Sequence, residues 1–235
     1  MLDGTQLWLV SIDDPAMAQV AWRLLDDAER QRAARFALAH LGQRYAACRG
    51  ALRLLLGAAL DQDARAVRLV QEPSGKPRLV DGPGLAFNVS HCDGTALIAL
   101  AAGCDVGVDV EAPRHVREPQ RVAHRMFARS EAKVIAELGP ELAAAAFLRC
   151  WTAKEAVLKA LGIGLAGRLD EVVVDAHPHV PLRLRRVPGP RLASDWTLHA
   201  VELPQGLVGA LALAAPALPA VAVRRFTADE AARRL

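Results

Sequence analysis

Residues 105–111 read Asp-Val-Gly-Val-Asp-Val-Glu, and the alternation of valine with small or acidic residues predicts a β-strand. Residues two apart share one face of a strand, so Gly107, Asp109 and Glu111 lie together while the three valines face the core. Two neighbouring carboxylates repel each other unless a cation lies between them or one of them carries a proton. The strand therefore predicts a sheet with one buried face and an unusual acidic pair on the other.

Two interpretations of the acidic pair follow from this pattern. On an edge strand, Asp109 and Glu111 would form a solvated acidic face with no further role. Alternatively, they hold a hard cation such as Mg²⁺, which prefers carboxylate oxygens. Gly107, on the same face, would then leave room for a bulky ligand. The residues of this strand alone leave both interpretations open.

The composition is that of an ordinary globular protein, with 23% charged residues and a mean hydropathy of +0.16 over 235 residues. That length allows one large domain or two domains of about a hundred residues. The net charge is only +3, which disfavours a general nucleic-acid-binding surface. Arginines nevertheless cluster early in the chain and favour a local anion site: Arg30, Arg32, Arg35, Arg44, Arg49 and Arg53.

Cysteine usage and hydropathy bear on the cellular compartment. The four cysteines form no CxxC pair, and the first residues do not resemble a signal peptide, so we expect free thiols and a cytoplasmic protein. Residues 203–223 carry no charge and are long enough to cross a bilayer. Because Pro204, Pro216 and Pro219 interrupt them, they predict two buried strands instead, and we expect no membrane partner.

Helix signals and strand patterns divide the rest of the chain. Asp14, Asp26 and Ser130 are predicted to cap helices, and Pro140 to begin a long helix that ends at Gly162. Strand patterns follow the helices in each half of the chain. Helices followed by strands, twice over, predict an α+β fold.

The repeated order of elements also predicts a pseudo-dimer of two similar α+β lobes, residues 1–104 and residues 105–235. No residue-level repeat is visible, so the duplication is inferred from architecture only. A ligand site is expected in the cleft between the lobes.

The stretch WTAKEAVLKALGIGL begins at Trp151 and places Glu155 and Lys159 on the same stripe of a helix as that tryptophan. A glutamate four residues before a lysine stabilises any exposed helix by about 0.2–0.5 kcal/mol, which explains the pair without a function. That explanation does not account for charged residues within so apolar a helix.

The stretch FNVSH, residues 87–91, ends a predicted strand. Asn88 and Ser90 lie on one face and His91 on the other, so Ser90 and His91 do not pair as nucleophile and base. Both can meet a phosphate instead, although a lone histidine at a strand end is more often structural. Lys76, on a Gly-Pro turn, and Arg32, in an early helix, are further anion-binding candidates that taken alone would be ordinary surface residues.

Together, GVDVE, FNVSH, GKP and WTAKEAVLKALGIGL resemble, in order and spacing, the motifs of the Sfp-type 4′-phosphopantetheinyl transferases, the monomeric, pseudo-dimeric branch of that family. The resemblance runs from about residue 29 to about residue 174. It implies that the phosphopantetheine arm of coenzyme A, bound between the lobes, moves to a serine of an acyl or peptidyl carrier protein. Mg²⁺ is implied as the cofactor, adenosine 3′,5′-bisphosphate as the product, and fatty-acid, polyketide or nonribosomal peptide synthesis as the setting.

The resemblance also implies roles for individual residues. The implied metal ligands are Asp109, Glu111 and Glu155. The residues implied to bind coenzyme A are Arg32, Lys76, Asn88, Ser90, His91 and Lys159. The implied catalytic residues are Glu155, Lys159 and Glu131, the last of which would act as a base or a metal contact. This chain departs from the family at Cys92, where a small residue, often serine, is usual.

Two alternatives use the same features differently. A Mg²⁺-dependent pyrophosphate hydrolase would use the same carboxylates without a carrier protein, and a non-enzymatic anion- or nucleic-acid-binding module would use the early arginines. The chain has only four Trp, one Tyr and five Phe, a poor supply for base stacking, so we expect no nucleic-acid partner. The inferred internal duplication favours a monomer.

Overall fold

Groups of helices and groups of strands follow one another along the chain. A computed structural model describes residues 4–71, 76–80, 82, 84–113, 116–163, 169–216 and 221–235. The helices are α1 (Pro15–Trp22), α2 (Asp27–Ala34), α3 (Ala39–Leu60), α4 (Pro119–Met126), α5 (Arg129–Ala136), α6 (Pro140–Leu161) and α7 (Ala228–Arg233). The strands are β1 (Thr5–Ser11), β2 (Leu69–Gln71), β3 (Pro77–Leu79), β4 (Leu85–Cys92), β5 (Thr95–Ala102), β6 (Val106–Glu111), β7 (Val173–Val174), β8 (Leu184–Arg186), β9 (Thr197–Glu202), β10 (Val208–Leu213) and β11 (Val223–Phe226).

Two sheets form the centre of the molecule. One has the strand order β11-β1-β5-β4 and the other β6-β10-β9. A single apolar cluster joins strands of both, and its members include Leu7, Leu97, Val108 and Leu211, each at most 1% exposed. Because alternate residues of a strand face opposite sides, one face of each sheet is committed to this cluster.

Helices cover the outer faces of the two sheets. On the four-stranded sheet, Trp8 and Ile98 pack in one cluster with Leu52 and Leu56 of α3. On the three-stranded sheet, α6 contacts β6, β10 and β9 and buries the small residues that those strands present. The mixed α and β content expected from the sequence is confirmed, with layers in the order helices, sheet, sheet, helix.

The last strand returns to the first sheet. β11 pairs in parallel with β1, and Phe226 packs edge-on against Trp8 with 6.0 Å between ring centroids. α7 then packs against α1. The sheet of the first half is therefore completed from the end of the chain. The boundary between residues 104 and 105 and the pseudo-dimer relation stay predictions.

Most of the predicted helix signals are confirmed. Asp14 and Asp26 cap α1 and α2 with their side chains, Pro140 begins α6, and Gly162 ends it in a left-handed conformation at φ 74°. The expected cap at Ser130 is wrong, because α5 begins at Arg129 and its N-cap is Ala128, two residues before Ser130. Glu131, the third residue of α5, accepts the Ala128 N–H at Oε2. Its side chain therefore satisfies a backbone N–H at the start of the helix, as the glutamate of a capping box does.

Residues 203–223 contribute to two strands, of which β10 is buried as expected, whereas β11 buries only Phe226 among its four residues. β10 is buried from Gly209 onward, and β11 begins at Val223. Pro219 lies outside the described residues. No helix in the described part of the chain combines the length and the apolar character needed to cross a membrane.

Candidate functional site

The sequence-predicted residues meet at a cavity of about 450 Å³ between β4, β6 and the second half of α6. It is bounded by strands of both sheets, so residues distant in the chain reach the same space. Those of its lining residues that the sequence had singled out are Lys76, Asn88, Ser90, His91, Asp109, Glu111, Trp151, Glu155 and Lys159.

Asp109 is the most deeply placed carboxylate of β6, at 4% exposure. Its Oδ1 accepts hydrogen bonds from Ser90 Oγ at 2.8 Å and from Lys159 Nζ at 2.7 Å. Its Oδ2 is buried and has no hydrogen-bond partner among the residues described. The interpretation of a solvated acidic face is therefore wrong, although β6 is the edge strand of its sheet.

Gly107 lies two residues before Asp109 on β6. It packs against α6 and does not border an open space. A Cβ at this position would lie 2.0 Å from the Ala156 carbonyl oxygen and 2.5 Å from the Ala160 nitrogen. The expectation that Gly107 leaves room for a ligand is wrong. The glycine instead lets α6 approach β6 closely, and this approach brings Glu155 and Lys159 beside Asp109.

Glu155 is buried at 5% exposure on the face of α6 that meets β6. Its Oε1 also lacks a hydrogen-bond partner within the described ranges. Burial raises the pKa of Glu155, and the neighbouring charges of Asp109 and Glu111 add to the effect while Lys159 opposes it. The interpretation of Glu155 and Lys159 as an exposed helix pair is wrong, since Glu155 is buried and Lys159 pairs with Asp109.

Glu111 and the two lysines complete the charged lining. Glu111, at the end of β6, accepts a hydrogen bond at Oε2 from Cys92 Sγ over 3.8 Å. Lys159 Nζ also donates to Ser90 Oγ at 2.9 Å. Lys76 Nζ donates to the Lys159 carbonyl oxygen at 2.6 Å, at the C-terminal end of α6. Three carboxylates and two ammonium groups therefore line one cavity.

A second cavity of about 350 Å³ adjoins the first and shares His91 with it. Arg32 lines it together with Arg44, Arg49 and Tyr45. The guanidinium of Arg32 lies 5.3 Å from the Tyr45 ring centroid. Arg49 Nη1 is buried and has no hydrogen-bond partner in the described structure. A lining of arginines with an unpaired buried N–H suits an anion.

The early arginines do not act as one group. Arg53 is 2% exposed and is bound internally by Glu29 Oε2 and Asp26 Oδ2, both at 2.8 Å. Arg44 pairs with Asp13, its Nη2 lying 2.7 Å from Oδ2. Arg44 therefore lines the second cavity with its guanidinium already paired, whereas Arg53 is bound inside the protein. Acidic partners elsewhere in the chain thus decide which arginines remain available to an anion.

Glu131 lies apart from these cavities, in a buried ion pair. Lys154 Nζ donates to Glu131 Oε2 at 2.6 Å, and the two side chains are 0% and 1% exposed. Glu131 Oε1 accepts the Val174 N–H at 2.8 Å. Lys154 also donates to the Leu169 carbonyl oxygen at 2.9 Å. Both Glu131 oxygens are thus occupied by groups that hold α5, α6 and the following segment together.

Asn88 is also engaged within the protein. Its Oδ1 accepts the Val108 N–H at 2.9 Å, and the residue is 5% exposed. His91, on the opposite face of β4, is exposed and lines both cavities. Partial desolvation there, with the nearby charge of Lys159, lowers the pKa of His91 and favours the neutral imidazole.

A divalent ion in the first cavity would need oxygen ligands that are not already engaged in hydrogen bonds. Asp109 Oδ2 and Glu155 Oε1 are such atoms, and both residues line the first cavity with Glu111. Within the described residues, no group of three or more His, Cys, Asp or Glu side chains is already arranged as a metal site. The donor set is nevertheless all carboxylate, which matches the preference of Mg²⁺ for oxygen.

Comparison with known proteins identifies the family. The model of the 4′-phosphopantetheinyl transferase superfamily matches residues 105–216. The chain is 33% identical over 216 residues to 4′-phosphopantetheinyl transferase HetI of Nostoc sp., covering 90% of this chain and 88% of that protein. It is 28% identical over 170 residues to the L-aminoadipate-semialdehyde dehydrogenase-phosphopantetheinyl transferase of Homo sapiens, covering 68% of this chain and 55% of that protein.

Among solved structures, the holo-(acyl-carrier-protein) synthase of Thermotoga maritima matches 48% of this chain and 64% of its own, at 21% identity and a TM-score of 0.37. The identity to HetI extends over nearly the whole of both chains, well beyond the four short motifs. The chain belongs to the 4′-phosphopantetheinyl transferase superfamily and is an enzyme of that class.

Proposed function

We propose that this enzyme moves the 4′-phosphopantetheine arm of coenzyme A to a serine hydroxyl of an acyl or peptidyl carrier protein, with Mg²⁺ as cofactor and adenosine 3′,5′-bisphosphate as the second product. The observation that carries the proposal is the meeting of Asp109, Glu111 and Glu155 with Lys159 around one cavity. Family membership supplies the reaction class.

The lysines, the arginines and the imidazole of His91, which can donate a hydrogen bond, suit the pyrophosphate and the further phosphate of coenzyme A. Lys76, Lys159 and His91 line the first cavity, and His91 also belongs to the arginine-lined cavity beside it. A nucleotide extending across both would place phosphates near ammonium, imidazole and guanidinium groups. Such fixed charges orient a phosphoryl group and stabilise charge that develops on its oxygens.

Mg²⁺, when bound by Asp109, Glu111 and Glu155, would supply charge neutralisation of the pyrophosphate. In the transfer, the serine oxygen forms a bond to the phosphorus that carries the pantetheine arm. The bond from that phosphorus to the bridging oxygen breaks, and the bridging oxygen leaves with adenosine 3′,5′-bisphosphate. The serine proton passes to a carboxylate.

We assign proton acceptance to Glu155 rather than to Glu131. Glu155 lines the cavity and has an oxygen without a partner, and burial holds the pKa of its carboxyl above the usual value. Both oxygens of Glu131 are taken up by Lys154 and by backbone N–H groups. A base must reach the proton that it removes, and only Glu155 of the two faces the cavity.

The alternatives have less support. A non-enzymatic module does not agree with membership of an enzyme family. A pyrophosphate hydrolase would use the same carboxylates but would need to exclude a carrier protein, and no observation favours that. The expectations of a monomer in the cytoplasm stay predictions.

Intact-mass measurement of an apo carrier protein tests the proposal. The carrier is incubated with the enzyme, coenzyme A and Mg²⁺, and it should gain the mass of one phosphopantetheine arm while adenosine 3′,5′-bisphosphate accumulates in equal amount. Asp109→Ala is the matched inactive control. Consumption of coenzyme A with no change in carrier mass would show a hydrolase instead.

A further inference from the structure

Three alternate side chains of β4 contact the open edge of β6 in a repeating pattern. β6 pairs with β10 on one side only, so its N–H groups on the other side point toward β4. The Val108 N–H is accepted by Asn88 Oδ1 at 2.9 Å, the Val110 N–H by Ser90 Oγ at 3.4 Å, and the Ala112 N–H by Cys92 Sγ at 3.0 Å. Each pair is separated by 20 residues. We call Asn88, Ser90 and Cys92 the β4 ladder.

Two members of the β4 ladder also form a hydrogen bond to a carboxylate of β6. In each case the carboxylate belongs to the residue just before the one whose N–H they accept. Ser90 Oγ lies 2.8 Å from Asp109 Oδ1, and Cys92 Sγ lies 3.8 Å from Glu111 Oε2. The third member, Asn88, accepts the N–H that follows Gly107, where α6 leaves no space for a side chain. The spacing of ladder residues therefore matches that of Gly107, Asp109 and Glu111.

The side chains of the β4 ladder are buried, so water cannot replace the hydrogen bonds that they accept from β6. Asn88, Ser90 and Cys92 are 5%, 6% and 5% exposed. An edge strand with buried N–H groups needs acceptors, and here side chains supply them in place of a neighbouring backbone. The strand position and the carboxylate direction are then set by the same three side chains.

We propose that Cys92 is a positioning residue for Glu111, and that the β4 ladder as a whole fixes β6 in the register that presents Asp109 and Glu111 to the cavity. The proposal rests on the proposed function in so far as those carboxylates hold Mg²⁺. A thiol is a weak donor and a weak acceptor, so a serine hydroxyl can replace it, whereas a valine of similar shape offers neither.

The first test follows the Ala112 amide by hydrogen exchange in the full chain without metal. Cys92→Val should speed exchange at Ala112 by roughly fivefold or more, because its N–H loses its acceptor, while Cys92→Ser should leave exchange near that of the wild type. Cys150→Val, at a fully buried thiol within α6, should leave exchange at Ala112 unchanged. Unchanged exchange at Ala112 in Cys92→Val would overturn the ladder itself.

The second test follows the Mg²⁺ concentration at half-maximal rise in Tm, with coenzyme A present. Cys92→Val should raise that midpoint about tenfold, the usual loss when the partner of a metal ligand is removed, and Cys92→Ser should restore it. Cys150→Val should match the wild type in midpoint even if its Tm is lower. An unmoved midpoint in Cys92→Val, where the wild type responds to Mg²⁺, would overturn the positioning role. If Mg²⁺ does not raise the Tm of the wild type, the metal part of the proposed function and the role of Cys92 in positioning a metal ligand are both overturned. Hydrogen exchange at Ala112 then tests the β4 ladder by itself.

Discussion

The buried pair of Lys154 and Glu131 gives the sharpest stability prediction. Their side chains are 0% and 1% exposed, with 2.6 Å between Nζ and Oε2. Replacing Lys154 by Met leaves the Glu131 charge buried without its counter-ion, which costs about 3–5 kcal/mol of unfolding free energy. In a protein of this size each kcal/mol lowers Tm by roughly 2–4 °C, so we expect a fall of roughly 6–20 °C.

Replacing the other partner, in Glu131→Gln, should cost less unfolding free energy than Lys154→Met. Burial lowers the pKa of Lys154 even though Glu131 opposes the shift. In Glu131→Gln the lysine can therefore release its proton and avoid a buried charge, whereas in Lys154→Met the Glu131 carboxylate keeps only its two backbone N–H partners. Removing both charges, in Lys154→Met with Glu131→Leu, should recover much of the stability.

Urea unfolding and thermal melts of the three variants supply the measurement, together with transfer rates taken well below each Tm. Glu131→Gln should retain turnover once folded, since Glu131 does not line the cavity. A Lys154→Met protein as stable as the wild type would refute the energetic argument. A Glu131→Gln protein of full stability but no turnover would return Glu131 to the catalytic residues.

Three further predictions concern the cavity and the helix that forms it. Glu155→Gln should abolish transfer and weaken the Mg²⁺ response of Tm while the fold is retained, and wild-type turnover in this variant would remove Glu155 from the proposed site. Because burial raises the pKa of Glu155, the folded protein holds a proton that the unfolded chain has lost, so without Mg²⁺ the unfolding free energy should fall as pH rises from the usual carboxyl range through the raised pKa. Melts against pH should show this fall in the wild type and lose it in Glu155→Gln; an identical profile in both would contradict the assignment. Gly107→Ala should cost about 3 kcal/mol and reduce transfer, because its Cβ would meet the Ala156 backbone, whereas Gly139→Ala, with open space around its Cβ, should leave transfer unchanged. Equal unfolding free energies for the two glycine variants would refute the close approach of α6.

Local signals in the sequence predicted the elements that begin or end on distinctive residues. Asp14 and Asp26 offered side-chain acceptors, Pro140 a fixed φ, and Gly162 a left-handed conformation, and each is found where expected. β1 gave no such signal and was not predicted. Its residues Leu7 to Val10 are buried on both faces, so they lack the alternation that marks a half-buried strand.

Contacts between distant segments were beyond the local patterns. The pairing of β11 with β1 joins residues more than 200 apart, and no periodicity indicates it. No periodicity indicates the partners of Arg53 and Glu131 either. Both side chains are buried because each forms an ion pair with a residue from another element, Arg53 with Glu29 and Glu131 with Lys154. The role of Gly107 was misjudged for a related reason, since α6 occupies the space that a strand pattern shows as empty.

The sequence named more of the residues that line the first cavity than of the long-range contacts of the fold. Asp109, Glu111, Glu155 and Lys159 were identified from spacing and resemblance, and all four line one cavity. Tyr45 and Cys92 were not predicted to contribute, and Arg49 was named only as one member of the early arginine cluster. Their signal was present only in part, as an arginine cluster without a known direction and as a departure from the usual serine.

A crystal structure of the enzyme with coenzyme A and Mg²⁺ tests the central claim most directly. We predict one ion bonded, at about 2.1 Å, to oxygens of Asp109, Glu111 and Glu155 and to the pyrophosphate. Lys159 should be turned from Asp109 toward a phosphate. An ion held elsewhere, with Asp109 still paired to Lys159 and Glu155 in contact with protein alone, would contradict it.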